Sequence, residues 1–198
     1  FMVSDYSDAG QERWLADNGI DLLRGNGRLA GAGVVDVDGV RHTADHVVLA
    51  NGADPVVPPI PGLRELEGVW TNREATSMKD IPRRLLILGG GPVGVEMAQA
   101  VRRLGGEVAL VEMGDHVLAR GPAPLGEALG EVLRGEGVEL VLSANATAAR
   151  RDGEDYVLEF DDQRELTGDR LLVATGRRPR VRGLVLETVG VEADAHGV

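Results

Sequence analysis

Short apolar runs separated by longer stretches of helical spacing organise the chain. Leu85–Leu88, Val108–Glu112, Val138–Leu142 and Leu171–Ala174 are runs made mostly of Leu, Ile, Val and Ala. Runs of that length predict strands buried on both faces, as in a parallel sheet. A helical stretch to Leu104 separates the first two. Over 125–133, Leu125, Ala128, Leu129, Val132 and Leu133 fall at i, i+3, i+4, i+7 and i+8. That spacing predicts an amphipathic helix with this stripe facing the sheet. Thr147–Ala149, the Asp152-Gly153 turn and Tyr156–Phe160 predict an antiparallel excursion before the last strand. The module from Arg84 to Gly176 therefore reads β-α-β-α-β-meander-β, an α/β unit complete in itself.

The first third is less regular. Asp8–Asn18 reads as a short helix with Asp8 as its cap, followed by a short strand at Ile20–Leu23. Val34–Val37, Asp38-Gly39 and Val40 suggest a hairpin, and His46–Ala50 a buried strand. Pro55, Pro58, Pro59 and Pro61 put four prolines in seven residues. That stretch reads as a stiff extended connector, because proline removes donors and fixes φ. Thr71 or Asn72 caps a brief helix ending before Ile81-Pro82.

Composition narrows the chemistry. With 198 residues and only 3% aromatics, one or two domains must be cored by Val, Leu, Ile and Ala. A net charge of −11 argues against nucleic acid and anionic membranes as partners. No apolar run approaches the roughly 18 residues of a membrane span, and no signal peptide is visible, so a cytoplasmic setting is the expectation. There is no cysteine, hence no disulfide framework and no thiolate metal site. His42, His46, His116 and His196 form no metal-ligand pattern, and no catalytic residue is identified.

The chemistry-bearing motif follows the Leu85–Leu88 run directly. Gly89-Gly90-Gly91-Pro92-Val93-Gly94 fits G-x-G-x-x-G through Gly89, Gly91 and Gly94. The bare pattern says little in a chain with 28 glycines. Here a strand precedes it, a helix follows, and the next strand ends in Glu112, 23 positions after Gly89. That context is the fingerprint of a Rossmann-like dinucleotide-binding domain. The first glycine allows a tight turn, the second lets backbone approach a pyrophosphate, and the third lets the helix pack on the sheet. The helix N-terminus offers amides and partial positive charge. Glu112 can accept the hydroxyls of an adenosine ribose and repels a 2′-phosphate. With Met113 next and no Arg there, NAD(H) is favoured over NADP(H). Glu96, read in the first turn of the helix, complements its dipole.

Residues 44–55 (ADHVVLANGADP) and 168–179 (GDRLLVATGRRP) align without a gap. Asp45 matches Asp169, Gly52 matches Gly176 and Pro55 matches Pro179. Two copies of one supersecondary plan are expected. The second copy has its glycine-rich front half at 84–112; the first has only a back half. The expectation is a piece of a longer chain, cut inside a first nucleotide-binding module.

These residues together resemble the pyridine nucleotide-disulfide oxidoreductase family. The matching stretches are Asn51-Gly52-Ala53-x-Pro55-x-x-Pro58-x-Ile60-Pro61-Gly62, the loop Gly89–Glu96, Ala174-Thr175-Gly176-Arg177-Arg178-Pro179, and Gly183-Leu184 through Glu192. The resemblance implies an FAD-dependent enzyme that takes hydride from NAD(P)H and passes electrons to a disulfide or another acceptor. An NADH oxidase or quinone-type reductase without a redox disulfide, or a nucleotide-binding sensor, are the alternatives. It implies cofactor contacts at Gly89, Gly90, Gly91, Pro92, Val93, Gly94, Glu112 and Met113, with Glu96 near nicotinamide and flavin, and Gly176 beside the nicotinamide nucleotide. Arg177, Arg178, Arg180 and Arg182 form a basic cluster, either solvated or in contact with phosphate or flavin. The implied layout is an FAD-domain remnant at 1–62, a connector at 63–82, the NAD(P)-binding domain at 83–178 and a return segment at 179–198. FAD, the dimerisation domain and a homodimeric partner would belong to the parent protein, and this chain is not expected to hold FAD.

Overall fold

Alternation along the apolar runs fixes the central architecture. The computed structural model describes residues 7–194 and residue 197; His196 and the Phe1-Met2 start lie outside the described residues. The chain divides into two compact units, one of residues 53–178 and one of 1–52 with 179–198.

In the larger unit, four parallel strands form a sheet: β5 (Arg84–Leu88), β6 (Glu107–Val111), β7 (Glu139–Val141) and β11 (Arg170–Val173). Their order across it is β11-β5-β6-β7. Their register stacks Val173, Leu88, Val111 and Val141 in one row and Leu172, Ile87, Leu110 and Leu140 in the next. Successive rows face opposite sides, so each strand is apolar beyond its first residue. One side packs on helices α3 (Pro92–Arg103) and α4 (Ala123–Gly135) through Val95, Ala98, Val101 and Leu133. The other packs on an antiparallel sheet of β8 (Ala146–Asp152), β9 (Asp155–Phe160) and β10 (Glu165–Gly168), through Ala149, Tyr156, Leu158 and Phe160. The unit is thus three layers: helices, parallel sheet, antiparallel sheet.

Polar groups gather at the amino ends of the parallel strands. Arg84 reaches Glu107 at 3.2 Å and Glu139 at 2.6 Å, joining the starts of β5, β6 and β7. The Asp169 carboxylate accepts the amides of Arg83 and Arg84. The carboxyl ends are left for loops, where ligands of open α/β sheets bind.

The proline stretch is extended, and it is packed rather than free. The Ala149 amide donates to Pro61 O at 2.9 Å. Leu63 is 1% exposed, and Val57, Ile60, Leu66 and Val69 lie against the same core. The Tyr156 hydroxyl donates to Glu67 O. Trp70 then exchanges backbone bonds with Leu171 and Val173, adding a one-residue parallel bridge beside β11. Ala53–Pro55 (β4) pairs with Arg177–Pro179 (β12) as a short ribbon.

The smaller unit carries α1 (Ala9–Asp17) and a meander of β1 (Gly27–Gly31), β2 (Val34–Val37) and β3 (Val40–Thr43). Asp8 stands at the cap of α1 but makes no side-chain cap bond; its carboxylate pairs with Arg24 instead. Among the described residues, no helix is long and apolar enough to cross a membrane.

Several expectations are corrected. Ile20–Leu23 and His46–Ala50 form no strand. Neither run has a ladder partner among the described residues, and Val48 is 85% exposed; an apolar run becomes a strand only with neighbours to pair. β1 and β10 escape a hydrophobic reading because Gly-Arg-Leu-Ala-Gly and Glu-Leu-Thr-Gly are mostly polar or glycine. On α4 the inward face is Gly126, Leu129, Gly130 and Leu133, while Leu125 and Val132 are 67% and 51% exposed. Glycines let this helix sit close: a Cβ on Gly126 would stand 2.2 Å from Val117 O.

The brief helix α2 (Asn72–Thr76) begins at Thr71 with a capping box. The Thr71 hydroxyl accepts the Arg73 amide and donates to Glu74, whose carboxylate also accepts the Thr71 amide at 2.7 Å. These bonds, the hydroxyl's first, hold the Glu74 carboxyl below its ordinary value of 4.5. Stabilisation from a lowered carboxyl is complete above the unfolded-state value and is lost as pH falls through the folded one. Thr71→Ala should cost about 1 kcal/mol at neutral pH. Denaturant titration should show that cost shrinking below the ordinary carboxylate range; a pH-independent cost would contradict the box.

Candidate functional site

The glycine turn lies where β5 meets α3. The Gly89 amide donates to Val111 O at 2.8 Å, extending the ladder one residue. Gly89 then adopts φ +112°, and a Cβ there would stand 2.6 Å from Ala174 O. Gly94 lies in the first turn of α3, where a Cβ would stand 1.9 Å from Gly89 O. The helix therefore starts directly against the turn. Gly91 differs: the nearest atom to a Cβ is Ala174 O, at 4.0 Å. The protein's own packing does not demand glycine there, so the space in front of Gly91 is open for another molecule. Gly91 caps α3 and Pro92 begins it. The Val93 and Gly94 amides have no intrahelical partner, as at any helix start.

Glu112 follows β6. Its amide donates to Val141 O at 2.9 Å, which fixes its backbone. Its carboxylate accepts the Gly90 amide at 2.6 Å through Oε2 and the Gly114 amide at 2.8 Å through Oε1. Gly90 is small where Glu112 needs room, since a Cβ would come within 3.0 Å of that side chain. Each oxygen keeps a further lone pair for an outside donor. The acid and the glycine turn are thus one hydrogen-bonded assembly.

A cleft of about 680 Å³ runs across the carboxyl ends of the parallel strands. Thr175 lines it beyond β11, Leu88-Gly89 at β5, Val111–Met113 at β6 and Asn145–Thr147 beyond β7; Val56 and Pro58–Pro61 form its wall. Of the residues read from the sequence, Gly89, Glu112 and Met113 line this cleft. Gly90, Gly91, Pro92, Val93 and Gly94 form the adjoining turn and helix start. Gly176 follows Thr175, and its carbonyl accepts the Val56 amide. Glu96 is exposed on the second turn of α3, not the first, because the helix begins at Pro92. It lies outside the cleft lining. Sequence reasoning missed the proline wall, Asn145, Thr147 and Thr175. The prolines signalled stiffness, but nothing in them signalled where the stretch would dock. Among the described residues, no group of three or more His, Cys, Asp or Glu could hold a metal ion.

Known proteins share this arrangement. Residues 4–198 match the family profile described as pyridine nucleotide-disulphide oxidoreductase. The chain belongs to that family. The chain is 36% identical over 189 residues to dihydrolipoyl dehydrogenase of Thermus scotoductus, covering 92% of the chain and 41% of that protein. It is 41% identical over 184 residues to mercuric reductase of Acidithiobacillus ferrooxidans, covering 90% and 33%. The solved HOCl-induced flavoprotein disulfide reductase RclA of Escherichia coli superposes with a TM-score of 0.84 at 28% identity, over 96% of this chain and 44% of that one. LpdA of Mycobacterium tuberculosis gives 0.80 at 28%, over 98% and 45%. The chain thus spans less than half the length of these relatives. The family uses FAD and NAD(P)H.

Glycine loss should separate the two roles in the turn. Gly94→Ala should lower the unfolding free energy by about 1–3 kcal/mol or more, through overpacking. Gly91→Ala should change it by less than about 1 kcal/mol, as an alanine in free space does. Equal losses in urea titration would contradict the geometry.

Proposed function

We propose that the unit of residues 53–178 is the NAD(H)-binding part of an FAD-dependent oxidoreductase, the site through which reducing equivalents enter. The carrying observation is the Glu112 carboxylate, held by the Gly90 and Gly114 amides at the end of β6. A fixed carboxylate acceptor at that point suits the paired hydroxyls of an adenosine ribose and opposes a 2′-phosphate. The open space at Gly91 and the Val93 and Gly94 amides suit a pyrophosphate. NADH, when bound, supplies the hydride. The chain's own part is to bind and orient it: Glu112 sets the adenosine end, the start of α3 takes the phosphates, and the proline wall shields one side of the cleft from water.

The smaller unit is assigned to the FAD-binding side of the parent protein, on the strength of the repeat and of family membership. No residue of this chain is assigned to FAD itself. The same membership supports reading the parent as a homodimer that passes electrons from flavin to a disulfide or another acceptor.

Titration with nucleotide tests the reading. NADH should bind at least roughly tenfold more tightly than NADPH, from charge repulsion at Glu112. Glu112→Arg should erase or reverse that preference. Gly91→Ala should weaken NADH with little change in fold stability. Equal or tighter NADPH binding by the unsubstituted chain would overturn the role of Glu112.

A further inference from the structure

The repeated segments make the same hydrogen bonds, and one copy shapes the cleft. The Thr175 hydroxyl donates to Val56 O at 2.7 Å, and the Val56 amide donates to Gly176 O at 3.0 Å. In the smaller unit, the Asn51 side-chain amide donates to Arg180 O, and the Arg180 amide donates to Gly52 O at 3.1 Å. Asn51, Gly52 and Val56 match Thr175, Gly176 and Arg180 at the offset of the sequence repeat. In each copy a polar side chain and the following glycine carbonyl hold the backbone carbonyl and amide of one residue, and so the two peptides that flank it. Different residue types, Asn and Thr, supply the same donor.

We propose that Thr175 is a positioning residue for the nucleotide cleft. Its hydroxyl, with the Gly176 carbonyl, clamps the Val56 carbonyl and amide and so sets the proline wall against the end of β11. The proposal rests on the nucleotide-site reading above. The wall is anchored at its far end by the Ala149 amide on Pro61 O and by buried Leu63. Between the anchors, Pro58, Pro59 and Pro61 have no amide to donate, and Val57 O is reached by the Arg64 side chain. The clamp on Val56, continuing the β4–β12 pairing, therefore fixes the near end of the wall beside β11.

Strand order says which half of a dinucleotide feels that end. The order is β11-β5-β6. With the adenosine ribose at Glu112 after β6 and the pyrophosphate at the turn after β5, the remaining half extends toward Thr175 after β11. Loosening the clamp should weaken binding of the whole dinucleotide and leave a mononucleotide unaffected.

The test is calorimetric titration of the full 198-residue chain with NADH and with AMP. Thr175→Val keeps the shape and removes the donor, and Thr175→Ser keeps the donor. Thr175→Val should weaken NADH roughly 3- to 10-fold, the worth of one hydrogen bond, and leave AMP unchanged. Thr175→Ser should restore NADH affinity to within about twofold of the unsubstituted chain, since the donor is retained. Unchanged NADH affinity in Thr175→Val, an equal loss for NADH and AMP, or failure of the serine variant to restore binding each overturns the clamp. A chain with Thr175 intact that binds neither nucleotide overturns the nucleotide-site reading itself, and the clamp with it.

Discussion

The start of α3 stands so close to the turn after β5 that no side chain fits between them. A Cβ on Gly94 would lie 1.9 Å from Gly89 O. That approach brings the amino end of a twelve-residue helix, with the positive end of its dipole, to the carboxyl edge of the sheet beside the cleft. Everything else at the site is arranged around it. Glu112 braces the same turn from β6 by accepting the Gly90 amide, so the acid and the glycine turn are joined.

The layers explain why the edge can be open. Alternate rows of the parallel sheet are buried against helices on one side and the antiparallel sheet on the other. Cohesion is thus supplied by the faces, and the amino edge is tied by Arg84 and Asp169. The carboxyl edge need contribute little to stability, and its loops are left for binding. The proline stretch adds a stiff wall at small entropic cost, because its φ angles are restricted before folding.

The buried strands were legible because a strand covered on both faces writes an unbroken apolar run. The glycine turn was legible because its steric demands leave few residue choices, and Glu112 because its spacing from the turn is set by one β-α-β unit. The α4 face was misread since glycine at 126 and 130 carries no hydrophobic signal, although it is the absence of a side chain that lets the helix approach. His46–Ala50 shows the converse: its composition suits a buried strand, yet pairing is a property of neighbours, and none of the described residues pairs with it. The docking of the prolines, and with it Thr175, depended on contacts across more than a hundred residues, which local pattern does not encode.

A crystal structure of the chain soaked with NAD tests the central claim most directly. The account predicts pyrophosphate oxygens within hydrogen-bonding distance of the Val93 and Gly94 amides, and adenosine ribose hydroxyls on the Glu112 carboxylate. Nucleotide bound away from the Gly89–Gly94 turn, or a ribose that leaves Glu112 uncontacted, would contradict it.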